Sequence, residues 1–154
     1  NVDGDLSIDT GSGSVSMQNI RAMNLSVDTG SGRVTGSQIV AIDIDIDTGS
    51  GGIDITAVET KRAHFDTGSG GVDLELLSDV EDVSIDTGSG GVHIAVPESL
   101  GAEVTVETGS GGVDIDVPHE SYRHKRDRFH GKIGDGIGRI TVETGSGGVR
   151  LIES

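Results

Sequence analysis

The chain has 154 residues and carries 11 Lys and Arg against 26 Asp and Glu, a formal net charge of −15. One domain is expected at this length, and the charge argues against nucleic-acid binding because it repels a phosphate backbone. Cysteine is absent, which excludes disulfides. No apolar run is long enough to span a bilayer, so we expect no membrane insertion by this fragment.

One seven-residue motif recurs along the chain. Its first copy is Asp-Thr-Gly-Ser-Gly-Ser-Val at 9–15. The other copies lie at 28–34, 47–53, 66–72, 86–92, 107–113 and 143–149, so the steps between copies are 19, 19, 19, 20, 21 and 36 residues. This period indicates a solenoid, because a propeller blade needs about twice that length.

A β-strand is predicted on each side of every motif, because apolar and polar residues alternate there with a period of two. Before the turn, the second and fourth residues of each five-residue strand are apolar, as Leu6 and Ile8 are. After the turn, the expected inward residues are Val15, Met17, Ile53, Ile55, Val72, Leu74, Val92, Ile94, Val113, Ile115, Val149 and Leu151. The expected outward residues are Asp54, Asp73, His93, Asp114 and Arg150.

These strands predict an all-β fold, a single-stranded right-handed parallel β-helix of about six to seven short coils. Residues 1–154 would form one β-solenoid domain with 19–21 residues per coil, each strand pairing with its equivalent in the next coil. The right hand follows from the handedness of parallel crossovers. One coil could not stand alone, since its aliphatic burial offsets too little of the entropy lost on ordering its backbone.

The irregular interval between the last two motifs predicts an irregular basic loop at 118–138, either a long loop or a strand excursion near the C-terminal end of the stack. Residues 118–139 hold six Lys and Arg against three acids. This loop is the candidate partner-binding site, through Tyr122, Arg123, His124, Lys125, Arg126, Arg128, Phe129 and Lys132. Alternatively, the loop folds back on the acidic body and caps the stack. His119, His124 and His130 lack a clear metal-ligand geometry, so we predict no metal site in this loop. We also predict no cofactor and no catalytic residue.

The tetrapeptide Asp66-Thr67-Gly68-Ser69 is similar to the active-site loop of pepsin-like aspartic proteases. That chemistry needs two aspartates that share a proton at close range. Stacked coils would instead place the repeated acids in one row, about 4.8 Å apart. We therefore interpret the motif as a turn, in which the acid bonds to nearby N–H groups and the glycines adopt positive φ.

A row of carboxylates also raises the possibility of calcium binding. Gly-Ser-Gly-Gly-Val-Asp-Ile-Asp faintly resembles the repeats of calcium-binding β-rolls, although those repeats have nine residues. The aligned threonines could form a hydroxyl row of the kind that ice-binding solenoids use. Turn-forming hydroxyls are the interpretation that we favour.

The recurring Thr-Gly-Ser-Gly-Gly-Val between alternating strands resembles the bacterial putative-adhesin domain, a β-strand-repeat family of unknown function. The run from Gly131 to Ile140, leading into Glu143-Thr144-Gly145-Ser146-Gly147, carries the same resemblance. It extends over essentially all 154 residues. The resemblance implies a right-handed parallel β-helix and a location at the bacterial cell envelope or outside the cell. It implies no catalytic residues.

We therefore predict that the protein is not an enzyme but an envelope or surface module, an adhesin or a structural scaffold. Its partner would be an unidentified surface, protein or glycan, and its open ends could pair copies end to end. A calcium-stabilised extracellular binding module is the alternative. A carbohydrate-active β-helix enzyme is the further alternative, disfavoured by the short chain and the few aromatic residues.

Overall fold

The computed structural model describes residues 4–116, 120–124 and 127–153. Within these ranges the chain is all-β, and no helix is present that could cross a membrane. The strands are β1 (Asp5–Thr10), β2 (Val15–Thr29), β3 (Val34–Thr48), β4 (Ile53–Thr67), β5 (Val72–Leu76), β6 (Asp82–Thr87), β7 (Val92–Val96), β8 (Ala102–Thr108), β9 (Val113–Asp116), β10 (Glu120–His124), β11 (Arg128–Ile133), β12 (Gly138–Thr144) and β13 (Val149–Glu153).

The strands form two columns of hydrogen-bonded neighbours, one on each side of the repeated turn. The column before the turns runs β1–β2–β3–β4–β6–β12–β8–β11–β10. The column after the turns runs β2–β3–β4–β5–β7–β13–β9. Equivalent residues of successive repeats lie in register, as Asp9 does with Asp28 and Asp28 with Asp47. Pairing between equivalent strands thus follows the sequence prediction.

Three long strands belong to both columns, because β2, β3 and β4 each run from one turn to the next. Each contains two residues that the inter-strand pairing skips, and the first of the two is Asn19, Gln38 or Ala57. Asn19, Gln38 and Ala57 have left-handed backbones, with φ of 55°, 57° and 55°. The left-handed residue changes the direction of the strand, so that one continuous strand contributes to both columns.

The order of the repeats in the stack differs from their order in the chain. β12 lies between β6 and β8, and β13 lies between β7 and β9, so the seventh repeat is inserted between the fifth and the sixth. β11 is antiparallel to both β8 and β10. The expectation of a purely parallel, sequential stack is therefore wrong: the sheet is mixed, and the 36-residue step gives the chain enough length to pass β8 and return.

Four residues, 134–137, form the crossover that carries the chain past the end of β8, from β11 to β12. They span two strand spacings, about 9.6 Å, which four residues can reach. Gly134 and Gly136 have φ of 58° and 71°, a conformation that favours glycine. A Cβ on Gly134 would also lie 2.8 Å from the carbonyl oxygen of Leu100. This tight passage explains the glycines in the run from Gly131 to Ile140, which carries the family resemblance.

The hydrophobic core is one cluster that combines residues from both columns. The inward residues predicted after the turns are buried, except that Val113 and Ile115 are only partly buried. They lie in β9, the last strand of its column, so one side of them lacks a neighbouring repeat. Phe65 and Phe129 are fully buried, and the remaining core is almost entirely aliphatic.

The turn glycines are required for close approach between repeats, not for positive φ as the sequence predicted. The positive-φ glycines of the described chain are Gly4, Gly134 and Gly136, none of which lies in a repeated turn. Instead, a Cβ on Gly49 would overlap the carbonyl oxygen of Gly30, and a Cβ on Gly51 would overlap that of Gly32. Successive turns therefore stack backbone against backbone.

Candidate functional site

The predicted partner-binding segment contains a two-stranded hairpin, β10–β11, followed by the crossover. Tyr122, Arg123 and His124 lie in β10, whereas Lys125 and Arg126 lie outside the described residues. The described part of 118–138 is thus ordered as strands and a short crossover, which agrees with the strand excursion that the sequence analysis gave beside a loop.

Strand β11 is attached to the acidic body by an ion pair and a side-chain hydrogen bond with β8. Arg128 Nε lies 3.0 Å from Glu107 Oε1, and His130 Nε2 lies 2.7 Å from Glu103 Oε1. The hydrogen bond from His130 holds the pKa of Glu103 below its ordinary value of 4.5, and the nearby charges of His130 and Arg139 act in the same direction. Desolvation opposes this lowering. The described part of the segment therefore folds back on the body, as the alternative interpretation predicted.

Three of the predicted contact residues lie against the body in this conformation. Phe129 is fully buried and lies opposite Val106 of β8, so its ring cannot reach a partner. Arg128 is paired with Glu107. Lys132 is half-buried and lies opposite Glu103. The residues that remain as candidates for an external contact are therefore those from 122 to 126.

A row of acids runs along the column before the turns. In stacking order its members are Asp9, Asp28, Asp47, Asp66, Asp86, Glu143 and Glu107. We call this the acid row. Its neighbours are about one strand spacing apart, 4.8 Å. Arg128 lies opposite Glu107 and terminates the row.

The protease-like tetrapeptide lies in the middle of the acid row. The in-register neighbours of Asp66 are Asp47 and Asp86, which point the same way from adjacent strands, so they do not face Asp66 across a cleft. The interpretation of the tetrapeptide as a turn agrees with this geometry. The hydrogen-bonding group differs from the prediction, however: Thr67 Oγ1, and not the Asp66 carboxylate, accepts the hydrogen bond from the Gly70 amide.

The same threonine hydroxyls also join each turn to its neighbour. Thr48 Oγ1 donates to the carbonyl oxygen of Gly32 at 3.1 Å, and Thr144 Oγ1 donates to that of Gly90 at 2.9 Å. The threonines that repeat these contacts are Thr29, Thr48, Thr67, Thr87, Thr108 and Thr144, all of them buried. Because their hydroxyls are consumed inside the stack, they form no exposed row of the ice-binding kind.

Within the described ranges, no group of three or more His, Asp or Glu side chains is arranged to hold a metal ion. The acid row offers one carboxylate per strand on a regular sheet. Calcium takes six to eight oxygen ligands at about 2.3–2.6 Å, which requires side chains that converge. The alignment of the acids that the sequence predicted is present, but this alignment does not by itself make a coordination site.

A second outward column alternates in charge from its third member onwards, a feature that the sequence analysis missed. In stacking order its members are Asp5, Asn24, Asp43, Arg62, Asp82, Arg139, Glu103 and Lys132. We call this the charge ladder. Arg62 makes a two-point contact with Asp43, with Nε–Oδ1 at 2.6 Å and Nη2–Oδ2 at 3.1 Å. The alternation appears only in stacking order, because Arg139 follows Glu103 in the chain but lies between Asp82 and Glu103 in the sheet.

One outward column places Asp45, His64 and Ser84 on three successive strands. These residue types occur together in hydrolase triads, in which the histidine is hydrogen-bonded to the other two. Here His64 is hydrogen-bonded to neither Asp45 nor Ser84, and all three residues lie on the outer surface of the sheet. The column therefore lacks the contacts that define a triad.

Comparison with known proteins gives a family and a fold. The family model described as Toastrack DUF4097 matches residues 3–151. The crystal structure of a putative cell adhesion protein from Clostridium sporogenes has 13% sequence identity to this chain and a TM-score of 0.64, covering 99% of this chain and 92% of that one. At this identity the likeness shows the fold alone. No curated protein matches the chain. Because the family model spans almost the whole sequence, the chain belongs to the Toastrack DUF4097 domain family, whose function is unknown, and the resemblance to the putative-adhesin domain is confirmed.

Proposed function

We propose that the protein is a non-enzymatic module of the bacterial cell envelope or cell surface, which acts in adhesion or as a scaffold. The observation that carries this proposal is the arrangement of the repeated polar residues. The exposed members of these columns, the acids and the ladder charges, occur once per repeat along the stack. Catalysis needs groups that converge on one substrate atom, whereas a column that extends over many repeats suits contact with an extended surface. The fold shared with the clostridial protein supports adhesion as the form of that contact.

We also propose that the winding is that of a right-handed parallel β-helix with six to seven coils. The in-register parallel pairing of equivalent strands supports this proposal. The hairpin β10–β11 would then be an antiparallel addition at one end of the column before the turns. An experimental structure of the domain would test the hand and the number of coils directly.

We place the partner contact on the outer strand of the hairpin and the residues that follow it, 122–126. This stretch concentrates positive charge on a chain that is otherwise strongly acidic, and charge complementarity favours an anionic glycan or an acidic protein surface as its partner. Arg128 is not part of this surface, because its guanidinium is paired with Glu107. End-to-end pairing of copies stays a separate proposal, since β9 and β10 each have one unpaired edge within the described sheet.

The test replaces Arg123, Lys125 and Arg126 by Ser and measures binding of the labelled domain to bacterial cells and to anionic cell-wall polymers. A matched control replaces Arg21, Arg33 and Lys61 by Ser, which removes the same charge from exposed positions outside the hairpin. We expect the hairpin variant to lose binding and the control to keep it. Equal binding by both variants would remove the hairpin from the contact and leave the scaffold role.

Two further measurements separate this proposal from its alternatives. Incubation with acidic polysaccharides should yield no unsaturated product, and the appearance of such a product would identify a polysaccharide lyase. Fractionation of cells that express the full-length protein should place it in the envelope or the medium. Recovery in the cytoplasm would contradict a surface role.

A further inference from the structure

The last repeat, formed by β12 and β13, lies in a slot whose two walls come from earlier parts of the chain. One wall is β6 and β7, and the other is β8 and β9. We call this space the slot. Its turn is also hydrogen-bonded to both neighbouring turns, since Thr144 Oγ1 donates to the carbonyl oxygen of Gly90 and Thr108 Oγ1 donates to that of Gly147. The crossover is the covalent connection between this repeat and the preceding chain.

The crossover is short and tightly placed. Gly134 and Gly136 are both in the left-handed conformation, and a Cβ on Gly138 would overlap the carbonyl oxygen of Val80. Ile137, the last crossover residue, is 84% exposed, an unusual position for a large apolar side chain. Short connections that leave little freedom favour the exchange of the element that follows them between copies.

The slot needs an occupant of the kind that the last repeat supplies. Ile140, Val142, Val149 and Leu151 are buried in it, so an empty slot would expose core residues to water. Closing the empty slot would bring Asp82 against Glu103. In the filled slot, Arg139 lies between Asp82 and Glu103 and contributes to the lowered pKa of Glu103. A strand that carries a cation at this position therefore separates the two carboxylates, which an empty, closed slot would not do.

We propose that a second copy of this chain is a partner that exchanges this repeat. In the exchanged dimer, β12 and β13 of each copy fill the slot of the other copy, and the crossover extends away from β8 instead of passing it. Each slot contact is preserved, because the inserted sequence is the same. This proposal does not rest on adhesion: it holds or fails whether or not the module binds a surface.

The absence of cysteine allows a direct test with single-cysteine variants. Ser84 in β6 and Thr141 in β12 are Cα partners on the outer face. Adjacent strands place such partners about 4.8 Å apart, within the range that a disulfide spans. One protein carries Ser84→Cys and a second, isotope-labelled protein carries Thr141→Cys. The two are unfolded together, refolded and oxidised at about millimolar concentration, comparable with the effective concentration that a short linker provides.

The matched control uses Ser26→Cys and Asp45→Cys, which are Cα partners in the same outward column between β2 and β3. These strands follow one another directly in the chain and enclose no inserted repeat. We expect the covalent dimer joined through positions 84 and 141 to exceed the control dimer by about tenfold, because only the slot accepts a detached repeat. Peptide mass mapping identifies the joined positions.

A protein carrying both Ser84→Cys and Thr141→Cys verifies that the pair can form a disulfide within one copy. If this disulfide forms and the mixed proteins give no excess of the 84–141 dimer over the control, the proposal is wrong.

A second measurement alters the crossover. Deleting Asp135 and Gly136 should shift the protein from monomer to dimer by light scattering, whereas a separate variant with four Gly and Ser residues inserted after Gly136 of the unaltered chain should stay a monomer. If the deletion variant does not fold, the insertion variant provides the test. Proteins that carry the insertion should give a lower yield of the 84–141 dimer than proteins with the unaltered crossover, and an equal yield would overturn the proposal.

Discussion

The hydroxyl group of Thr67 joins two consecutive turns of the stack. It donates to the carbonyl oxygen of Gly51 in the preceding turn at 2.8 Å, and it accepts from the amide of Gly70 in its own turn at 3.2 Å. The side chain is 1% exposed, so water cannot replace either bond. The threonine of the motif is therefore the residue that couples one repeat to the next at the turn.

Replacing Thr67 by Val should destabilise the protein. The shape is nearly kept, but the Gly70 amide and one lone pair of the Gly51 carbonyl lose their partner, which costs about 1–3 kcal/mol. Thermal or urea unfolding measures the loss. Thr141→Val is the matched control, because Thr141 points outwards from β12. A Thr67→Val variant as stable as this control would show that the hydroxyl contributes little.

Close stacking of the turns makes the first glycine of the motif sensitive to its place in the stack. In Gly49→Ala, the new Cβ would overlap the carbonyl oxygen of Gly30. In Gly11→Ala, nothing lies within 4 Å of the new Cβ, because no described turn precedes the first one. We expect Gly49→Ala to lower the free energy of unfolding by about 1–3 kcal/mol, the usual range for overpacking, and Gly11→Ala to have little effect.

The two glycine variants also distinguish close approach from conformation as the reason for glycine in the turn. If the turn required a left-handed glycine, both substitutions would be costly to a similar degree, since both positions belong to the same motif. Equal destabilisation in urea titrations would therefore contradict the steric explanation. It would favour the explanation made from the sequence, in which the turn glycines are needed for positive φ.

The parts of the fold that the sequence predicts are those that repeat. The alternation of apolar residues identifies the inward side chains, from Leu25 to Leu151, because a strand with one buried face leaves this pattern in every repeat. The order of the repeats leaves no such pattern. Val83, Ile140 and Val104 are equally suitable inward neighbours, so periodicity alone cannot decide which of them pair. The order depends on contacts that are distant in the chain, made by the crossover and the hairpin.

The candidate site also has features that follow from the repeat and features that depend on contacts distant in the chain. The alignment of the acid row follows from the repeat, whereas the pairing of Arg128 with Glu107 and the burial of Phe129 depend on the fold of the hairpin. The charge ladder could have been noticed by comparing the first residue of each strand before a turn. Its alternation, however, becomes regular only when Arg139 is placed between Asp82 and Glu103.

The pair between His130 and Glu103 predicts a pH dependence for the attachment of the hairpin. Because the pKa of Glu103 is lowered in the folded state, its contribution to stability is present above its ordinary value of 4.5 and is lost as the pH falls through the lower folded value. Glu103→Gln should therefore lower the melting temperature at about pH 6 and have little effect at about pH 3. Glu98→Gln, at an exposed position after β7, controls for the removal of one charge. A difference between Glu103→Gln and the unaltered protein that is the same at both pH values would contradict the pairing as its cause.

Calcium should not raise the melting temperature more than magnesium does at equal ionic strength. The acid row presents one carboxylate per strand, and such a row gains from any counter-ion through screening of its repulsion. Two unit charges at this spacing repel by about 1 kcal/mol in water. In Asp47→Asn/Asp66→Asn, which removes two adjacent charges, the melting temperature at low salt should therefore stay equal or rise. The measurement compares thermal melts with excess EDTA, with calcium and with magnesium. A calcium-specific rise of several degrees that this double variant abolishes would identify the acid row as an ion site. Such a result would favour the alternative function, a calcium-stabilised binding module, over a scaffold whose turns are held by threonine hydroxyls.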